Sequence, residues 1–147
     1  MLQLIQSFLS QDWQVTFGTV SQKNPNSIDL TNYGVTEVSL ALNASSFDEY
    51  ILNLNPTIVV FDRFITEEQF GWRVAENCPN AVRILDTEDL HFLRKTRHQQ
   101  LKKGEEFTTD VLLKSDDAIR EIASILRCDV SLIISTFEMD LLKNVFK

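Results

Sequence analysis

The sequence predicts an α/β protein: a Rossmann-like, three-layer αβα sandwich around a mostly parallel sheet of about five strands. Three observations lead there. Apolar runs such as Ile58-Val59-Val60-Phe61 and Val82 to Leu85 are short and bounded by polar turns, the pattern of strands covered on both faces. These runs alternate with stretches whose apolar residues recur every three or four positions, as on a helix. Polar residues follow the runs at once, Asp62-Arg63 after one and Asp86-Thr87-Glu88-Asp89 after the other. Such positions lie at the carboxyl edge of a parallel sheet, where open α/β folds bind ligands.

Each element has its own warrant. Met1 to Ser10 reads as a helix, with Leu2, Ile5, Phe8 and Leu9 on one face. Trp13, Val15 and Phe17 alternate with polar residues and predict a strand. Ser21 to Tyr33, with Asn24-Pro25-Asn26-Ser27, reads as a loop with a single helical turn. Gly34 to Leu42 gives a second strand through Val38, Leu40 and Leu42. Ser46 and Glu49 stand at capping-box spacing and open a helix that Asn55-Pro56 ends. The strand Thr57 to Phe61 follows.

Thr66 and Gln69 make a second capping box, with Ile65 and Phe70 as its hydrophobic staple, for a helix to about Asn77. After the strand Val82 to Leu85, a longer helix is expected from about Thr87 to Lys103, stopped by Gly104. Arg94, Lys95, Arg97, Lys102 and Lys103 crowd its second half. That basic face reads as solvated, or as a contact for an anionic membrane surface or another domain. A short helical piece is expected over Asp110 to Lys114. Ser115 with Asp116 and Asp117 starts the next helix, whose core face is Ala118, Ile119, Ile122 and Leu126. The last strand is Val130 to Ile134. Ser135 and Glu138 form a third capping box, and Leu141, Leu142, Val145 and Phe146 line the final helix.

The 147 residues suffice for one domain with its own core, and no linker or repeat divides them. A net charge of −7 argues against nucleic acid as a partner, since phosphate backbones call for a basic surface. No apolar run approaches the roughly 20 residues of a membrane span. The segment MLQLIQSFLSQDW has neither a basic start nor a small-residue cleavage site, so it does not read as a secretory signal. Cys78 and Cys128 lie far apart without ligand spacing, and a reducing, cytoplasmic setting fits them. Two histidines make a His-based metal site an unfavourable reading.

Gly18, Gly34, Gly71 and Gly104 are scattered singly. Neither a dinucleotide fingerprint nor a P-loop is present, and no Gly-x-Ser-x-Gly elbow exists. What remains is polar side chains at strand ends: Asp62 and Arg63; Asp86, Thr87, Glu88, Asp89, His91 and Arg94; Ser135 and Glu138. A carbohydrate acceptor needs carboxylates for its hydroxyls, an Arg for an anionic group and a general base. The same residues also read as helix caps, dipole partners and local ion pairs.

LDTEDLHFLR (Leu85 to Arg94), REIASILRCDVSLIIS (Arg120 to Ser135) and FEMDLL (Phe137 to Leu142) together resemble the N-terminal domain of two-Rossmann-domain (GT-B) glycosyltransferases of the group 1 family. The matching positions are Asp86, Glu88, Asp89, Arg120, Glu121, Asp129, Ser135 and Glu138. The resemblance implies a carbohydrate or glycoconjugate acceptor, with Asp62, Arg63, Asp86, Glu88, His91, Ser135 and Glu138 on the acceptor side. It implies a nucleotide-sugar donor held by a second domain, no cofactor or metal in this chain, and framework roles for Arg120, Glu121 and Asp129. The family's first strand with its glycine loop, and its donor domain, are not in the sequence, so no transfer is expected from the chain alone. An exposed sheet edge is then expected to support a homodimer. The reading from another class is a non-catalytic α/β binding or protein-interaction domain.

Overall fold

The computed structural model describes residues 1–22 and 27–146, without the side chains of Thr109 and Asp110. The Asn24-Pro25-Asn26 part of the predicted loop lies outside the described residues. The chain is α/β, and its described strands all pair in parallel, as the sequence predicts. They form two sheets, one of two strands and one of three. The chain divides into two compact units, Met1–Tyr50 and Ile51–Lys147.

In the first unit, helix α1 (Leu2–Leu9) precedes strand β1 (Thr16–Thr19), a 3-10 turn (Leu30–Tyr33) and strand β2 (Thr36–Ser39). Both strands are shorter than the alternation suggested. They pair with Thr16 beside Thr36 and Thr19 beside Ser39. Asp29 starts the 3-10 turn by accepting a bond from the Thr31 amide at 3.1 Å. Ile5, Leu30 and Val35 form the buried centre, flanked by Leu2, Leu9, Val15 and Phe17. Helix α2 (Ser45–Leu54) starts one residue before the predicted Ser46 and runs across the division between the units.

The second unit carries strand β3 (Ile58–Asp62), helix α3 (Arg63–Asn77), strand β4 (Val82–Asp86), helices α4 (His91–Lys103), α5 (Thr109–Leu113) and α6 (Asp116–Arg127), strand β5 (Val130–Leu132) and helix α7 (Thr136–Val145). The strands lie in the order β3-β4-β5. Asp62 is level with Asp86, and Asp86 with Leu132. The three strand ends therefore share one edge. Helix α3 packs on β3 and β4 and against α6, and α4 also packs against α6. Leu90, Phe92, Leu93, Leu112, Ala118 and Leu142 form the buried centre between α4, α6 and α7.

Local differences from the sequence reading have physical causes. Helix α3 begins at Arg63, not at a Thr66 cap, because Arg63 takes a left-handed backbone (φ 66°) and turns the strand into the helix within one residue. Helix α4 begins at His91 rather than Thr87. The Thr87 hydroxyl donates to the Leu132 carbonyl at 2.9 Å and ties β4 to β5, so it is not a helix cap. Gly104 ends α4 in the left-handed conformation, as expected. Ser115 caps α6 by accepting from the Ala118 amide at 3.1 Å. The predicted core face of α6 is only half right. Ala118 is buried, but Ile119 and Leu126 are 61% and 67% exposed. Glu121 and Ser124 point inward in their place, each held by a specific partner.

Candidate functional site

The site grows from two adjacent strand ends. Asp62 is the last residue of β3 and Asp86 the last of β4. Arg63 follows Asp62 in a left-handed backbone, and Glu88, two residues past Asp86, has φ 58°. Neither is a glycine, asparagine or aspartate, the types that visit this region readily. Strain of this kind concentrates at functional sites and persists only where the surroundings hold it. At Arg63 the surroundings are ionic. Its guanidinium donates through two nitrogens to both Asp62 carboxylate oxygens at 3.3 Å and lies 3.8 Å from Glu88. The hydrogen bond to Asp62 and its charge, with Glu88 and Asp89 behind them, raise the Arg63 pKa further.

Asp86 is nearly buried, and its Oδ1 accepts from the Glu88 amide at 3.3 Å. That bond closes a tight turn and presents the Glu88 side chain outward. Asp89 faces both ways, with its carboxylate 3.2 Å from Arg94 and 3.5 Å from His91 Nδ1. His91 Nδ1 also meets the Asp89 carbonyl at 3.2 Å, and its ring packs edge-on against Phe64 at 5.8 Å. Asp62, Arg63, Asp86, Glu88 and His91 thus come together on one edge, with Asp89 and Arg94 beside them.

Ser135 and Glu138 reach the same region but act on the backbone. The Ser135 hydroxyl accepts from the Glu138 amide at 3.2 Å and donates to Glu138 Oε2 at 3.0 Å. Glu138 Oε1 accepts from the Leu90 amide at 3.0 Å. Only the serine half of the predicted capping box forms: Ser135 caps α7, while Glu138 turns to the Ser135 hydroxyl and to the Leu90 amide at the start of the neighbouring helix.

Glu121 does more than the resemblance implied for it. It is fully buried on α6, and its carboxylate accepts from the His91 amide at 3.1 Å and the Phe92 amide at 2.8 Å. Leu90 heads α4 and has no side chain to cap it. Three amides at this helix start are therefore satisfied by glutamates from two other helices. Burial pushes the Glu121 carboxyl up from its ordinary value, and the bonds from the Phe92 and His91 amides offset this only in part. The sequence signal for this role is faint, because nothing in the Leu90 stretch points to an acid thirty residues on.

Between the start of α4 and that of α7 lies a cleft of about 300 Å³, lined by Asp89, Leu90, Leu93, Arg94, Arg97 and Glu138. In the sequence Arg97 belongs to the basic face that reads as solvated, or as a contact for an anionic membrane surface or another domain. The structure places its guanidinium carbon over the rings of Phe107, at 5.3 Å, and Phe137, at 4.8 Å. Among the described residues, no three His, Cys, Asp or Glu side chains are grouped to hold a metal ion. Among the described residues, no helix is long and apolar enough to cross a membrane. Comparison with protein-family models, with curated proteins and with solved structures finds no match for the chain.

Proposed function

We propose that this chain is the acceptor-side α/β domain of a glycosyltransferase-like protein, binding the hydroxyls of a carbohydrate or glycoconjugate at the carboxyl edge of β3 and β4. The observation that carries the reading is the meeting of Arg63 and Glu88, both left-handed, beside Asp62, Asp86 and His91 on adjacent parallel strand ends. Carboxylates with outward lone pairs next to a fixed guanidinium suit the bidentate hydroxyl contacts that sugars offer. His91, held by Asp89, is on this reading the candidate general base for an acceptor hydroxyl. The nucleotide-sugar donor belongs, on this reading, to a second domain, because no glycine-rich phosphate loop is present in the sequence. Free thiols at Cys78 and Cys128 agree with a cytoplasmic setting.

The second reading, a non-catalytic binding domain, draws support from the capping bonds that occupy Glu138 and Glu121. The test is amide NMR titration of the whole chain with neutral mono- and disaccharides and, separately, UDP-glucose. The glycosyltransferase-like reading expects saccharides to shift Asp62, Arg63, Glu88 and His91. It expects UDP-glucose to shift that edge no more than glucose does. Silence at the edge with every saccharide favours the non-catalytic reading.

A further inference from the structure

We propose that the cleft between α4 and α7 is an oxyanion subsite, built on Arg97, for a phosphate monoester on a sugar-sized alcohol. The anion assignment stands on the geometry of the cleft. Only the sugar-like body of the ligand rests on the reading given under Proposed function.

The charges facing the cleft are accounted for one by one. Asp89 bridges Arg94 at 3.2 Å and His91 at 3.5 Å. Glu138 is nearly buried and turned onto the Leu90 amide and the Ser135 hydroxyl. Lys95, on the same helix, is drawn away by Asp117 at 2.5 Å. Arg97 has no carboxylate partner among the described residues and instead meets the two rings. Of the two cations lining the cleft, Arg94 is paired and Arg97 is left uncompensated among the described residues.

The rings also fix it. A guanidinium in contact with two aromatic rings has lost some of its side-chain freedom before any ligand arrives, so binding costs less ordering. The N–H groups at its edge remain able to form a forked pair to a phosphate. Phe137 is 53% exposed, which no core role requires. As one jaw of the clamp it has a reason to stand there. Leu90 and Leu93 give the cleft an apolar floor, Asp89 supplies a hydroxyl acceptor at its rim, and about 300 Å³ is room for a small ligand rather than a polymer.

The test is a titration of the full chain with glucose 6-phosphate, inorganic phosphate and glucose, read by NMR at Arg94, Arg97 and Phe137, with sedimentation on phosphatidic-acid vesicles as a separate arm. Glucose 6-phosphate is expected to shift these three residues and to bind more tightly than either inorganic phosphate or glucose. Arg97→Ala is expected to weaken it at least tenfold, and Arg97→Lys and Phe137→Ala several-fold, with the fold intact because both side chains are exposed. Equal affinity in wild type and Arg97→Ala overturns the subsite. Equal binding of inorganic phosphate and the ester overturns the ligand class. Arg97-dependent vesicle binding without ester binding moves the phosphate to a lipid headgroup and overturns the free-ester assignment. Glucose 6-phosphate shifts at Asp62 to His91 with none at Arg97 leave the edge reading standing and overturn this one. Ester shifts at Arg97 with a silent edge do the reverse.

Discussion

Arg63 and Glu88 stand 3.8 Å apart, and both hold a left-handed backbone at the ends of neighbouring strands. Such a conformation costs a non-glycine residue on the order of 1–3 kcal/mol. A chain selected for stability alone would put glycine there. Arg63→Gly and Glu88→Gly are therefore expected to leave stability unchanged or to raise it by up to ~1 kcal/mol, since relief of strain is offset by the flexibility of glycine in the unfolded chain. Both should weaken saccharide binding several-fold. Urea denaturation and NMR titration of the same samples check the two halves. A large loss of stability in either variant would show that the Asp62–Arg63–Glu88 contacts serve the fold rather than a ligand.

Glu121 gives a second expectation. In Glu121→Gln the single remaining oxygen can accept from only one of the His91 and Phe92 amides, and its NH2 group faces the other. A stranded buried donor costs about 1–3 kcal/mol, so the variant should be destabilised by that order. The pH dependence has a definite sign. Burial raises the folded-state pKa of Glu121 above its ordinary 4.5, so the native state holds the proton longer than the unfolded chain. The stability this provides is complete below the unfolded value and is lost as pH rises through the folded value. Glutamine has no such slope. The stability gap between wild type and Glu121→Gln should therefore narrow as pH rises from 4.5 toward neutrality, measured by urea denaturation across that range.

Much of this was readable in advance. The strand runs Ile58 to Phe61 and Val82 to Leu85, the Ser115 cap and the Gly104 stop follow from short-range patterns, and each lies within a residue or so of its expected place. The misplaced pieces depended on contacts far along the chain. Thr87 looked like a helix start because its bond to the Leu132 carbonyl spans 45 positions. Glu121 reads as a framework residue for the last strand, and its capping role is hidden because its partners are 29 and 30 positions away. Ile119 and Leu126 were assigned to the core by periodicity, which counts residues but cannot see that a glutamate with two backbone partners takes the inward position. In the candidate site, position along the chain anticipates Asp62 and Asp86 side by side at neighbouring strand ends. The left-handed Arg63 and Glu88, and the clamp around Arg97, carried no sequence signal.

Gly71 provides a third expectation, away from the site. A Cβ there would fall against the Glu67 carboxylate, which is buried and held by Arg127 at 2.5 Å. Arg127 is also fixed to the Ser124 hydroxyl at 2.9 Å, so the pair has little room to give. Gly71→Ala should destabilise by about 1–3 kcal/mol through overpacking, seen as a lower urea midpoint with an unchanged slope. No change would mean that Glu67 swings out to solvent.

Cys128 follows the same ion pair. Burial, reinforced by the Glu67 charge, pushes its thiol up to about 12. The native protein should react slowly with a thiol reagent at pH 8, and the rate should climb only at much higher pH. Reaction as fast as in the urea-unfolded chain at pH 8 would show that the segment after α6 opens freely.

The central claim is that the edge formed by Asp62, Arg63, Asp86, Glu88 and His91 binds carbohydrate hydroxyls. The most direct measurement is saturation-transfer NMR of a neutral disaccharide panel on wild type and on Asp86→Asn with Glu88→Gln. The account expects transfer to at least one saccharide in wild type and its loss in the double variant, with the amide spectrum of β3-β4-β5 preserved. Equal transfer to both proteins, or to neither, would contradict it.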